Sequence, residues 1–301
     1  MNKTFRILMI VAAAFIGIGI LMAGLSFSFG FALPDLFYEI GNKNHEAADR
    51  TIEEDLKEFQ DISIDASYHD VRFKQGDAFH IKYSYNSKYS SLTHEIKEGR
   101  LVVKDEKADR KGLLSAIREK NLRGMIEITY PKEAVFRDVR IADEIGEVAI
   151  GDFSCSNLQI DVGIGSVVAS AVKTQTLQIS ADTGDIKLVN GSADRAELEL
   201  SLGELTTDKW STNGLVAELG SGEANLSGTF LGETNIDCTI GDITMQVSDF
   251  EKNYAYDLET ELGDIRINGK KVANEVEQKG ELENKINLSA ETGDINLSFE
   301  K

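Results

Sequence analysis

Apolar and polar positions divide the chain into three regimes. The first is unbroken: no charged residue lies between Arg6 and Asp35, and Ile7 to Pro34 is a run of 28 residues. A helix needs roughly 20 apolar residues to cross the hydrocarbon core, so residues 1–34 predict a short cytoplasmic tip and a retained transmembrane anchor. A cleaved signal peptide is the competing reading. Its apolar core would be about 7 to 15 residues and end in a small-x-small site, whereas here Gly24-Leu25-Ser26 is followed by more Phe. Lys3 and Arg6 precede the run; Asp35 and Glu39 follow it. Positive flanks stay in the cytoplasm, so everything after residue 35 is expected outside the membrane. Ala13 with Gly17, and Gly19 with Ala23, have the small-xxx-small spacing that lets helices pack closely; the same content is ordinary for a single membrane helix.

The second regime, residues 35–58, is polar and acidic. It reads as a juxtamembrane tether with a short helix over Thr51–Phe59. From residue 59 the period becomes two, the signature of strands with one buried face. Expected strands are Ile62–Asp65, Val71–Lys74, His80–Tyr85, Leu101–Lys104, Met125–Tyr130 and Val139–Ile141. Their irregular spacing makes 59–141 the cap of whatever follows. Lys104 to Arg123 is a basic insertion with a helix expected over Leu113–Asn121.

From residue 142 to 301 the pattern becomes periodic. Gly146, Gly165, Gly184, Gly203, Gly222 and Gly241 are spaced by 19 residues, five times in succession; Gly263 and Gly293 follow after 22 and 30. Each glycine precedes a mostly acidic residue and then an apolar one. Apolar positions recur seven, five and three residues before it, as in Leu177, Ile179 and Ala181, and two and four after it, as in Ile186 and Leu188. One such unit, strand–glycine turn–strand–looser turn, is too small to bury its own apolar face and must stack on its neighbours. The fold class is therefore all-β: a single-chain, parallel β-helix-like solenoid of about 19 residues per coil behind one N-terminal transmembrane helix. Eight coils about 4.8 Å apart would span roughly 35 to 40 Å. Cys155 and Cys238 would then sit about four coils, or near 20 Å, apart, beyond the roughly 7 Å limit for a disulfide. Two buried free thiols are expected.

Charge sharpens this picture. The formal charge is −19, and residues from Ile141 onward contain 30 Asp+Glu against 11 Lys+Arg, so the repeats carry the whole excess. Such a surface repels nucleic acid and anionic lipid. No cofactor, nucleic acid or small-molecule substrate is implied; the expected partners are the bilayer, through the N-terminal helix, and a membrane-protein or cell-wall component.

Chemistry-bearing motifs are missing. His45, His69, His80 and His94 have no metal-ligand spacing, and no CxxC, P-loop or nucleophile motif occurs. His69 beside Asp70 reads as a surface pair. The acidic column Asp185, Glu204, Glu223, Asp242 and Asp264 offers two readings: solvated, screened carboxylates, or a ladder sharing Ca²⁺. A polysaccharide-active β-helix enzyme would need paired carboxylates in a groove. One tryptophan, Trp210, few basic residues and no break in the repeat chemistry argue against it, so a non-enzyme is expected.

The segments ISIDASYHDVRFKQGDAFHIKYSY and MIEITYPKEAVFRDVRI, and the recurring TGDI and LGDI units, resemble the bacterial putative adhesin family of β-strand-repeat domains. The resemblance runs from about residue 59 to the end. It implies a β-solenoid, often behind a membrane segment, and transfers no functional residue. The expected role is a membrane-anchored, extracytoplasmic surface interaction module or an envelope-stress sensor.

Overall fold

A unit of two short strands around a glycine corner can bury its apolar face only by stacking, and the chain stacks. In the computed structural model, residues 48–106, 123–278, 280 and 282–300 are described, all within the unit Glu46–Lys301. The expected anchor, residues 7–34, and the expected helix, residues 113–121, lie outside the described residues. Among the described residues no helix is long and apolar enough to cross a membrane.

The first strands are β1 (Arg50–Asp55), β2 (Asp61–Ala66), β3 (His69–Gly76), β4 (His80–Tyr85), β5 (Leu92–Lys97), β6 (Arg100–Asp105) and β7 (Gly124–Pro131). The repeats supply β8 (Phe136–Ile145), β9 (Val148–Gly151), β10 (Cys155–Ile164), β11 (Val167–Ser170), β12 (Lys173–Thr183) and β13 (Ile186–Val189). In β14 (Ser192–Thr212) and β15 (Leu215–Phe230) the strand runs through the glycine corner. Then come β16 (Glu233–Ile240), β17 (Ile243–Phe250), β18 (Tyr254–Leu262), β19 (Ile265–Ile267), β20 (Lys270–Lys271), β21 (Glu275–Gln278), β22 (Asn284–Thr292) and β23 (Ile295–Glu300).

The 19-residue period becomes a parallel register. Leu158 faces Leu177, which faces Ala196, Leu215 and then Thr234 in successive coils. Second strands align the same way, Val148 to Val167 to Ile186 to Leu205. Inward side chains along these columns form one continuous apolar core. Each apolar side chain removed from water stabilises the stack by about 1.5–3 kcal/mol relative to exposure.

Coil order departs from chain order at both ends. The last coil, β22–β23, does not stack on β18–β19 from outside. It lies between β16–β17 and β18–β19, pairing in parallel with both. At the other end, β2–β3 lies between β6–β7 and β8–β9. The reason is edge chemistry. The outer edge of β18–β19 is already covered by antiparallel β21 and β20, and that of β6–β7 by antiparallel β5 and β4. A covered edge cannot accept another coil, and covering it protects the sheet from edge-to-edge association. The eleven-residue excess between Gly263 and Gly293 is this cover.

The tether expectation also changes. Arg50–Asp55 is not helical but forms β1, antiparallel to β4. Its side chains are held by Lys82 on Glu53 at 3.0 Å and by His80 on Asp55 at 2.9 Å. An open strand edge overrides the helical preference of a short acidic segment.

The glycine corner sets the coil spacing. Gly203 has φ +145°, and a methyl group there would overlap the carbonyl oxygen of Gly184. The same holds up the column, each glycine lying against the carbonyl of the one before; Gly293 meets Gly241, and Gly263 meets Gly293. The opposite corner turns on Asp152, Ala171, Asn190 and Lys209, at φ between 50° and 53°. Beside it, Trp210 is buried against Gly191, which leaves the space that the indole fills.

Replacing Gly203 by Ala is expected to lower unfolding free energy by at least about 2 kcal/mol in urea titrations. Gly151→Ala, where nothing lies within 4 Å of the added methyl, should change it by less than about 0.5 kcal/mol. Cys155 and Cys238 are both free and buried, and burial pushes the Cys155 thiol up to about 11. Neither should react with iodoacetamide at pH 8 in the folded chain, and both should be alkylated in denaturant, as read by intact mass.

Candidate functional site

The glycine edge combines two columns of unlike chemistry. The residue after each glycine is mostly acidic, and its role is structural. The Asp70 carboxylate accepts the backbone N–H of Glu147 at 3.0 Å, and that of Asp185 accepts the N–H of Glu204 at 3.0 Å. Asp242 accepts from the N–H of Asp294 at 2.7 Å, and Asp294 from that of Asp264 at 2.9 Å. Where the preceding coil carries Asp, its short side chain satisfies this corner amide; Ser166 Oγ takes the N–H of Asp185 at 3.4 Å. Glu204 cannot reach in the same way, and its Oε1 accepts from Thr206 and Asn225, each at 2.9 Å. At the C-terminal end, Arg266 bridges Asp264 and Asp294, both at 2.9 Å, and Lys271 contacts Asp264 at 2.6 Å. The Asp264 amide, followed by the Arg266 guanidinium, holds the Asp294 carboxyl below its usual range.

These contacts add to the solvated reading of the column: Asp185, Glu204, Glu223 and Asp242 are exposed. Asp185, Asp242 and Asp294 also bond a backbone amide of the adjacent coil. Among the described residues no group of three His, Cys, Asp or Glu is disposed to hold a metal. Asp242 and Asp264 are not adjacent either, because Asp294 stands between them.

From Gly165 onward the residue before each glycine is turned outward by the corner; Ile145, before Gly146, stays buried. In spatial order this column reads Ile164, Thr183, Leu202, Ser221, Ile240, Thr292, Leu262. Its four apolar members are 40%, 51%, 44% and 57% exposed. They form a line of separated apolar side chains along one edge. The ladder acids flank it on one side, and Asp182, Glu291 and Glu261 on the other.

The second candidate lies inside, where the cap meets the repeats. His69 and Asp70 are buried, at 1% and 5% exposure, and are not a surface pair. His69 occupies a place in the glycine column, between Gly124 and Gly146. Its Nδ1 lies 3.3 Å from the Tyr68 N–H and its Nε2 lies 3.3 Å from Ser90 Oγ. Burial lowers its pKa to about 4, opposed by the charge of Asp105. Asp143 takes the inward position held by Val162 in the next coil and Ala66 in the preceding one. That is a break in the repeat chemistry which the sequence reading missed. The signal was available: an Asp three residues before Gly146, where the other units carry Val, Ala, Leu, Cys or Thr and none carries a charge. Neither Asp143 oxygen has a hydrogen-bond partner of good geometry. Burial raises its pKa to about 8; the nearby His69 amide and Arg123 oppose this, and Asp70 and Glu144 add to it.

His80 pairs with Glu53 and Asp55, and His94 with Glu54; His45 lies outside the described residues. A shallow groove of 580 Å³ near the C-terminal end is lined by Glu233, Tyr256, Asp257, Glu277 and Lys285 among others.

His69 must stay neutral when folded, so its contribution is lost as pH falls from about 6.5 toward 4. Asp143 is protonated in the fold and ionised when unfolded, so its contribution is lost as pH rises from about 4 toward 8. The two nearly cancel between pH 4 and 6.5; above that Asp143 acts alone. Unfolding free energy should therefore drop by about 1 kcal/mol between pH 6.5 and 8. The drop should vanish in Asp143→Asn, measured by urea titration at each pH.

No curated protein matches this chain. Solved structures do. A putative adhesin from Parabacteroides distasonis shares 10% identity at a TM-score of 0.43, over 82% of this chain and 96% of that one. A putative adhesin from Bacteroides fragilis shares 15% identity at a TM-score of 0.37, over 84% and 99%. A putative lipid binding protein from Parabacteroides distasonis shares 14% at 0.40, over 84% and 96%. The family model Toastrack DUF4097 matches residues 59–298, the full run of stacked coils from β2 into β23. This chain is a member of the Toastrack DUF4097 family.

Proposed function

We propose that the chain is a membrane-tethered, extracytoplasmic interaction module of adhesin-like type that works through the glycine edge of its solenoid. The supporting observation is the exposed column Ile164, Leu202, Ile240 and Leu262 running beside the acidic column Asp185, Glu204, Glu223 and Asp242. A monomeric surface scatters its apolar residues; a line of them along one edge marks a contact surface. Four of the regularly placed carboxylates, Asp70, Asp185, Asp242 and Asp294, are engaged by backbone amides. The apolar run Ile7–Pro34, with Lys3 and Arg6 before it, supplies the anchor and the orientation in this reading.

Two measurements test it in cells. With a C-terminal epitope tag, protease added outside should remove the tag, while the protein stays in the carbonate-resistant membrane fraction. A photo-crosslinking residue at Leu202 or Ile240 should give adducts with another envelope component that are absent at Lys187, an exposed position on the second strands. A protected tag would overturn the location, and equal crosslinking at the three positions would overturn the edge as the working surface.

A further inference from the structure

Resting on that reading, we infer that the glycine edge docks a basic, amphipathic α-helix contributed by a separate protein. The argument is one of spacing and charge. Leu202 follows Ile164 by two coils, Ile240 follows Leu202 by two, and Leu262 follows Ile240 by two. The last interval holds only because the final coil is interpolated: chain order would set Leu262 directly on Ile240 and break the alternation. Two coils span about 9.6 Å. An α-helix returns the same face every seven residues, about 10.5 Å. An extended strand repeats its face every about 6.8 Å, which falls out of step after one contact. Thr183, Ser221 and Thr292 form shallow saddles between the apolar knobs, where residues of an incoming helix can sit.

Charge selects among occupants. One flank carries Asp185, Glu204, Glu223 and Asp242; the other is uncharged at Gly163, Ser201, Gly220 and Thr239 and acidic at Asp182, Glu291 and Glu261. The basic side chains on this edge, Arg266 and Lys271, are paired with Asp264 and Asp294 at its C-terminal end. A second copy would bring the same acids face to face, and an anionic membrane surface would be repelled. A helix with Leu or Ile at every seventh position, flanked by Lys and Arg, meets both features at once. Such a contact weakens as salt screens it.

The test uses the full chain in phosphatidylcholine nanodiscs, with empty nanodiscs as blank. The probe is a labelled 21-residue peptide carrying Leu every seventh residue between lysines; the control is its scrambled isomer, equal in charge. The heptad peptide should bind at least ten-fold more tightly than the isomer. The double substitution Leu202→Ser, Ile240→Thr should remove that advantage. It should also leave the fold intact, because Ser221 and Thr183 already occupy the same column. Equal binding of the two peptides, or binding indifferent to the substitutions, overturns the inference. Binding seen only when residues 107–122 are deleted also overturns it, since the chain's own basic segment would then be the occupant. If the peptides fail while crosslinks from Leu202 persist in cells, the interaction reading stands and only this partner chemistry falls.

Discussion

One contact governs this structure: from Gly165 onward the backbone of each corner glycine lies against the carbonyl of the glycine one coil away, and Gly146 lies against that of His69. No side chain fits at these glycines, so the residue is fixed there. The backbone runs at positive φ at most of these corners, so the choice is fixed twice. Once the corners touch, strand spacing follows, the inward columns meet as a dry core, and the residue after glycine is left with an amide that the ladder does not reach. Where the preceding coil carries aspartate, that short side chain satisfies the amide. The Gly–Asp pair is thus a single structural device, close approach plus hydrogen-bond completion, and the charge it brings to the edge is a by-product.

A stack of near-identical units has a characteristic hazard. Sliding one coil by 19 residues exchanges one good register for another. The chain resists this with units that are not interchangeable. Trp210 fits only against Gly191. Phe73, Tyr130, Phe136 and Phe153 interlock at the cap, with Phe136 and Phe153 stacked at 4.8 Å. His69 and Asp143 belong to the same class: polar groups at positions where the repeat calls for glycine or an aliphatic side chain. They weaken the stack locally and mark where the cap ends.

The period, the strands of the repeats and the free thiols were legible because they depend on local patterning: alternation, a glycine phase, a fixed interval. What escaped depended on competition between edges. Nothing in the spacing of Gly263 and Gly293 says which coil is terminal, since both carry the same Gly-Asp-Ile signal. The decisive feature was the turn Asn268–Gly269, with φ of 49° and 77°, which folds β20 back onto β19. Asn-Gly between strands is a strong hairpin signal, and Glu98–Gly99 does the same between β5 and β6. The acidic segment Arg50–Asp55 looked helical on its own and became a strand because β4 offered it an unpaired edge. Asp143 was readable as an exception to its column, but only once the column was written out unit by unit.

Interpolating the last coil alters how the unit would bear load. A terminal coil in a simple stack can be peeled from its one neighbour, a hydrogen bond at a time. Here β22 is gripped by β16 and β18 at once, and β2 by β6 and β8. Past β1, which pairs with β4 alone among the described residues, tension along either end of the folded chain would have to shear two parallel ladders together, so resistance to pulling is built into strand order rather than added by a covalent staple.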